Sequence, residues 1–121
     1  MPSYLFIFGY EDSVEMKCND ECGTDYESSK GVLIEAVSPE EALAWGREIA
    51  EAFMRHENDG DPSISWRARD YAHWIEPHPE RSSSSHCLSF FQRVKVGGFP
   101  DFARMTSRAY VDWLRANGQN V

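Results

Sequence analysis

Residues 38–58, SPEEALAWGREIAEAFMRHEN, decide the fold because every local signal in this stretch predicts the same helix. Ser38 can cap the helix, Pro39 has the φ of a first helical residue, and Glu41 can complete a capping box. The apolar residues recur at helical spacing and form one broad stripe: Ala42, Leu43, Trp45, Gly46, Ile49, Ala50, Phe53 and Met54. A stripe this wide requires a large apolar partner, and the strand-like runs on either side can supply it.

The segments around this helix alternate between strand-like runs and polar turns. Strands are predicted at residues 4–10, 31–37, 64–75 and 88–96, with a break in the third at Asp70. The helical pattern returns between residues 99 and 118, a short helix is compatible with residues 13–22, and a loop is predicted at residues 76–85. The main order, ββαββα, predicts an α+β fold. We expect a two-layer sandwich of about four mostly antiparallel strands with two helices on one face.

The length and composition predict one globular domain over residues 1–121. Hydrophobic residues make up 41% of the chain and aromatic residues 13%, which is typical of a packed core. The first apolar run is too short to cross a bilayer, and the N-terminus lacks the basic flank of a secretory signal. Three cysteines cannot all pair within the chain, which fits a reducing compartment. We therefore expect a cytoplasmic protein without a membrane segment.

The net charge of −8 is divided unevenly between the two halves of the sequence. Residues 1–61 hold 15 acidic and 4 basic side chains, whereas residues 62–121 hold 5 acidic and 8 basic ones. The halves can attract each other within the fold, or the second half can present a basic surface to an anion. The acidic total argues against non-specific nucleic acid binding, which requires many cations facing phosphates.

Both faces of the first predicted strand are apolar, which indicates a central strand that is covered on each side. In a two-layer sandwich we expect the helices to cover Leu5 and Ile7. The opposite face then combines aromatic rings with cations: Tyr4, Phe6, Phe8, Arg67, Arg69, Tyr71, His73, Phe91, Arg93 and Lys95. Such a face is typical of an interface or a ligand surface, unless a loop of the chain covers it.

The main functional hypothesis is a small binding module that acts through this face, as a homodimer or on a protein partner. The alternative is a domain that binds a small anionic ligand or a nucleotide, with weak enzymatic use of His73, Arg67 and Arg93. The sequence contains no GxSxG elbow, phosphate-binding glycine loop, HExxH helix or dinucleotide fingerprint. A non-enzymatic role is therefore favoured, and no catalytic residue is assigned.

The cysteines raise the question of a metal site. Cys18, Cys22, His86 and Cys87 could supply four zinc ligands, but adjacent His86 and Cys87 would both have to face the ion. Acidic neighbours of Cys18 and Cys22 disfavour the thiolate that redox chemistry needs. We expect no metal and no cofactor, and three structural cysteines.

Overall fold

The computed structural model, which describes residues 1–76, 78–81 and 85–118, contains a four-stranded mixed sheet and three α-helices. The strands are β1 (Ser3–Tyr10), β2 (Ser28–Glu35), β3 (His73–Glu76) and β4 (Arg93–Lys95). The helices are α1 (Ser13–Cys22), α2 (Pro39–Glu57) and α3 (Ser107–Ala116). Short 3₁₀ helices lie at Arg67–Arg69, Pro79–Arg81, Ser85–Phe90 and Phe102–Arg104. The predicted α+β class is confirmed.

The strand order is β3-β1-β2-β4, so β1 is an inner strand, as its two apolar faces indicate. β1 pairs antiparallel with β2 and with β3, whereas β2 pairs parallel with β4. Phe6 stands opposite Val32 on one side and Ile75 on the other, which places these three side chains on one face of the sheet. Leu5, Ile7 and Leu33 point to the opposite face, which we call the second face.

The capped helix forms where the sequence predicts it. The Ser38 hydroxyl accepts a hydrogen bond of 3.1 Å from the backbone N–H of Glu41. A reciprocal capping box is present at the start of α1, between Asp12 and Glu15. In the described part of the chain, no helix is both long and apolar enough to cross a membrane.

Helix α2 covers the opposite face from the one expected. Phe6 and Phe8 are completely buried in the same core as Ile49 and Phe53 of α2. The predicted helix-facing row, Leu5 and Ile7, therefore lies on the wrong side. Gly46 makes this arrangement possible, because a Cβ at this position would lie 2.5 Å from the Phe6 ring. The α2 backbone rests on the ring itself, and only glycine leaves room for that contact.

Part of the second face is covered by the segment around Phe90 and Phe91. Leu5 and Leu33 are 0% and 4% exposed although α2 lies on the other side. The Phe91 ring lies over Gly31 on this face. The predicted strand 88–96 is instead a 3₁₀ segment, Ser85–Phe90, followed by the short strand β4. Helix α3 takes a different place from the one expected, because its rings pack on Phe90 of this segment rather than beside α2.

We predict that Gly46→Ala destabilises the protein by about 1–3 kcal/mol, because the added methyl group meets the buried Phe6 ring. Helix propensity alone predicts a gain of about 1 kcal/mol. The control is Ala44→Gly on the exposed side of α2, which should cost about 1 kcal/mol through propensity. Denaturant unfolding measures both changes. A stabilised Gly46→Ala variant would contradict the contact.

Candidate functional site

The ten residues of the predicted binding face do not share a surface. Tyr4, Phe6 and Phe8 point to the face that α2 covers, and the two phenylalanines have no exposed area. Phe91 lies on the second face, over Gly31. Arg93 and Lys95 are paired with Leu33 and Glu35 in register, so they also point to the second face, at its far end. There Arg93 Nη1 donates a hydrogen bond of 2.6 Å to Ser3 Oγ.

The basic residues between α2 and β3 hold acidic groups of the first half of the chain. Arg67 forms an ion pair with Glu48 of α2, and Arg69 Nη1 lies 3.4 Å from Glu11 Oε1. These contacts tie the segment before β3 to α2 and to the turn between β1 and α1. The two ion pairs join the acidic first half of the chain to the basic second half. They also engage two arginines of the predicted binding face within the fold.

His73 makes structural contacts with both ring nitrogens. Nδ1 donates to the Tyr71 carbonyl over 2.9 Å, and Nε2 accepts from Arg47 Nε over 3.3 Å. The imidazole ring also meets the buried Trp66 ring edge to face, with the centroids 4.9 Å apart. The hydrogen bonds fix one tautomer and leave neither nitrogen directed at an open cavity. This geometry does not support the acid–base role considered for His73.

A buried carboxylate, Glu11, joins three parts of the fold just after β1. The residue is only 9% exposed. Its side chain accepts hydrogen bonds from the Tyr71 hydroxyl and from Asn19 Nδ2, at 2.5 and 2.6 Å. Burial opposes ionisation, but these bonds and the charge of Arg69 outweigh it and hold the pKa of Glu11 below its ordinary value. Tyr71 is therefore part of a buried hydrogen-bonded cluster around Glu11, which we call the Glu11 lock, and does not belong to an open face.

We predict that Glu11→Gln destabilises the fold by about 1–3 kcal/mol at neutral pH, because charge-assisted bonds in a buried site are weakened. Since the folded pKa of Glu11 is lowered, its ionisation stabilises the fold above the ordinary carboxyl pKa of 4.5. This contribution is lost as the pH falls through the lower folded value. The difference between wild type and variant should therefore shrink with acidification.

The control for this change is Glu21→Gln, which removes the same charge from an exposed position of α1. Urea titrations at several pH values between neutral and acidic measure all three proteins. Equal stability of the Glu11→Gln and Glu21→Gln variants at neutral pH would contradict the role of Glu11 as a lock.

A cleft of about 610 Å³ lies on the second face. Its floor is the sheet, where Ile7, Gly31 and Trp74 lie on neighbouring strands. One wall is the segment of Phe90 and Phe91, and the other runs from Arg104 to Tyr110. The cleft exists because the chain covers Leu5 and Leu33 closely but passes the start of β2 at a distance.

Charged and polar groups surround the aromatic interior of the cleft. Lys30 Nζ lies 3.5 Å from Ser107 Oγ, and burial lowers the pKa of this amine against the pull of nearby acids. Burial and the charge of Asp25 raise the pKa of Glu27 at the same rim. Trp74 Nε1 donates a hydrogen bond of 3.0 Å to Glu76 Oε1, while the indole remains 46% exposed. The cleft thus offers rings inside and charges of both signs at its mouth.

Of the ten predicted site residues, Phe91 alone lines the cleft. Trp74 and Phe90 were not among the predicted site residues, because residues 64–75 and 88–96 were both expected to be extended strands. One available signal was Gly31: a glycine in a strand often marks close approach of another group. Here that group is the Phe91 ring, 2.8 Å from where a Cβ would stand.

The cysteines give no sign of a metal site within the described residues, where no three His, Cys, Asp or Glu side chains group as ligands. Cys18 and Cys22 lie on α1. Cys87 is buried and shares a hydrogen bond with the Tyr110 hydroxyl beside the cleft. The side chain of His86, the fourth ligand of the zinc hypothesis, lies outside the described part of the structure.

Comparison of the chain with family models, with curated proteins and with solved structures finds no match.

Proposed function

We propose that this chain is a binding module whose ligand site is the cleft on the second face. The observation that carries the proposal is the combination of size and lining. A volume of about 610 Å³ lies within the range of about 300–1,000 Å³ that is usual for ligand pockets. Rings from the sheet, the Phe90 segment and α3 line it, together with polar and charged side chains that include Lys30, Glu27 and Gln92.

The lining indicates the chemistry of the ligand. Trp74, Phe90 and Tyr110 offer ring faces and edges to an apolar or planar group. Lys30 and Glu27 at the rim can orient a ligand that carries both a donor and an acceptor. Because the rim holds charges of both signs, a ligand of low net charge fits better than a strongly anionic one.

This proposal moves the binding surface away from the one expected from the sequence. A homodimer through Phe6 and Phe8 loses its basis because α2 occupies that face. An anion site built on Arg67 and His73 loses its basis because both side chains are engaged within the fold. A binding role without catalysis is retained, now located in the cleft.

We predict that small aromatic fragments bind the wild-type chain saturably and that Trp74→Ala weakens this binding about tenfold or more. A fragment library screened by ligand-observed NMR supplies the probes, and protein amide shifts locate them. Tyr26→Ala is the control, because Tyr26 is a 60% exposed ring that does not line the cleft. Absence of any saturable fragment, or equal binding by both variants, would contradict the proposal.

A further inference from the structure

One lysine lies at the cleft, at the place where β2 meets the start of α3. Lys30 and Ser107 both belong to the lining, and Lys30 Nζ lies 3.5 Å from Ser107 Oγ. The chain has three lysines in all. The other two, Lys17 and Lys95, are exposed and do not line the cleft. A single side-chain amine is therefore held beside the candidate ligand site.

The amine of Lys30 is fixed in position without being paired to an acid. The residue lies within β2, opposite Phe8 of β1, so its backbone is held by the sheet. Its Nζ lies 6.0 Å from the centre of the Tyr10 ring. Among the described residues, no carboxylate comes within ion-pair distance of this nitrogen. The amine thus has a defined place and no partner that ties it in the charged form.

The surroundings of Lys30 favour the neutral amine. The side chain is half-buried, and the loss of hydration lowers the pKa of Lys30. The acids Glu57, Glu15 and Asp12 act in the opposite direction but do not reverse this change. A neutral lysine amine carries a free electron pair, and such lysines form imines with carbonyl compounds.

We propose, on the basis of the proposed function, that the cleft binds an apolar or aromatic aldehyde and that Lys30 Nζ holds it as an imine. Tyr110 follows Ser107 by one turn of α3 and lines the same cleft. Its ring packs on Phe90, with the centroids 5.0 Å apart. An aldehyde whose carbonyl group meets the amine therefore has rings nearby for the rest of the molecule. An aldehyde is also uncharged, as the charges of both signs at the rim favour.

Imine formation needs no oxidant and no further reactant. The electron pair of Lys30 Nζ forms a bond to the carbonyl carbon, and the carbonyl oxygen takes up a proton. The oxygen then leaves as water with the two hydrogens of the neutral amine, and a C=N bond replaces the C=O bond. The Ser107 hydroxyl, 3.5 Å from Nζ, is close enough to pass a proton from the nitrogen to the departing oxygen.

The test treats the wild-type chain with benzaldehyde and sodium cyanoborohydride, which reduces an imine to a stable amine. Peptide mapping by mass spectrometry then gives a labelling rate for each lysine. Lys30 should be labelled about tenfold faster or more than Lys17 and Lys95, because bound aldehyde is held beside it. The two exposed lysines are controls within the same molecule. The rate at Lys30 should saturate with benzaldehyde and should fall when a small aromatic fragment fills the cleft.

The matched variant is Lys30→Arg, which keeps the positive charge but has no amine that forms an imine. This variant should lose the fast label and keep the slow labelling of Lys17 and Lys95. It should also still bind the small aromatic fragments. Such a result separates the amine from the rings of the cleft.

Equal labelling rates at the three lysines would overturn the inference, and the proposed function would stand if the fragments still bind. Fast labelling of Lys30 that neither saturates with benzaldehyde nor slows with a bound fragment would also overturn it, because the amine would then react outside the cleft. Equal rates together with a failure of all fragments would remove both proposals. If Lys30→Arg does not fold, the comparison of the three lysines in the wild-type chain still decides.

Discussion

The structure depends on the need to cover β1 on both sides. Its two faces are apolar, and both Phe6 and Leu5 are completely buried. Helix α2 approaches one face closely, because Gly46 sets its backbone against the Phe6 ring. With α2 committed there, the other face has to be covered by shorter pieces: the Ser85–Phe90 segment, the chain around Phe91 and α3. These pieces close over Leu33 but leave a cleft at the start of β2, and the candidate site is a consequence of that incomplete cover.

The polar contacts also serve mainly to hold the fold together. Segments without regular structure are held by side chains that reach back to β1: Trp66 Nε1 donates to the Gly9 carbonyl over 2.7 Å, and Tyr71 bonds to Glu11. The acidic first half and the basic second half thus meet mainly in contacts that stabilise the fold. Arg67 and Arg69 are engaged in these contacts, which favours the cleft over a surface built on them as the candidate site.

Features that depend on neighbours in sequence were predictable. The cap at Ser38, the short helix Ser13–Cys22, the inner position of β1 and the break at Asp70, whose φ is +53°, all follow from local chemistry. The sequence could not show which face of β1 the helix α2 covers, because both faces are apolar. The contact of Gly46 with Phe6 distinguishes the two faces, and it is seen only in the folded structure. Residues 88–96 have the spacing of a strand, yet packing of Phe90 against Tyr110 and Trp113 favours a 3₁₀ segment. The predicted site combined aromatic rings with cations. It assumed that the face of Phe6 and Phe8 is free, whereas α2 covers this face.

Hydrogen exchange along β2 in the ligand-free protein tests most directly whether the cover of the second face stops short of this strand. The amides of Lys30 and Val32 point to β1 and should exchange slowly, as should that of Leu33, which donates to Gln92. After correction for intrinsic rates, the amide of the exposed Ser29 should exchange about a hundredfold faster or more. Protection of Ser29 equal to that of Val32 would mean that the start of β2 is covered, and would contradict both the incomplete cover and the site derived from it.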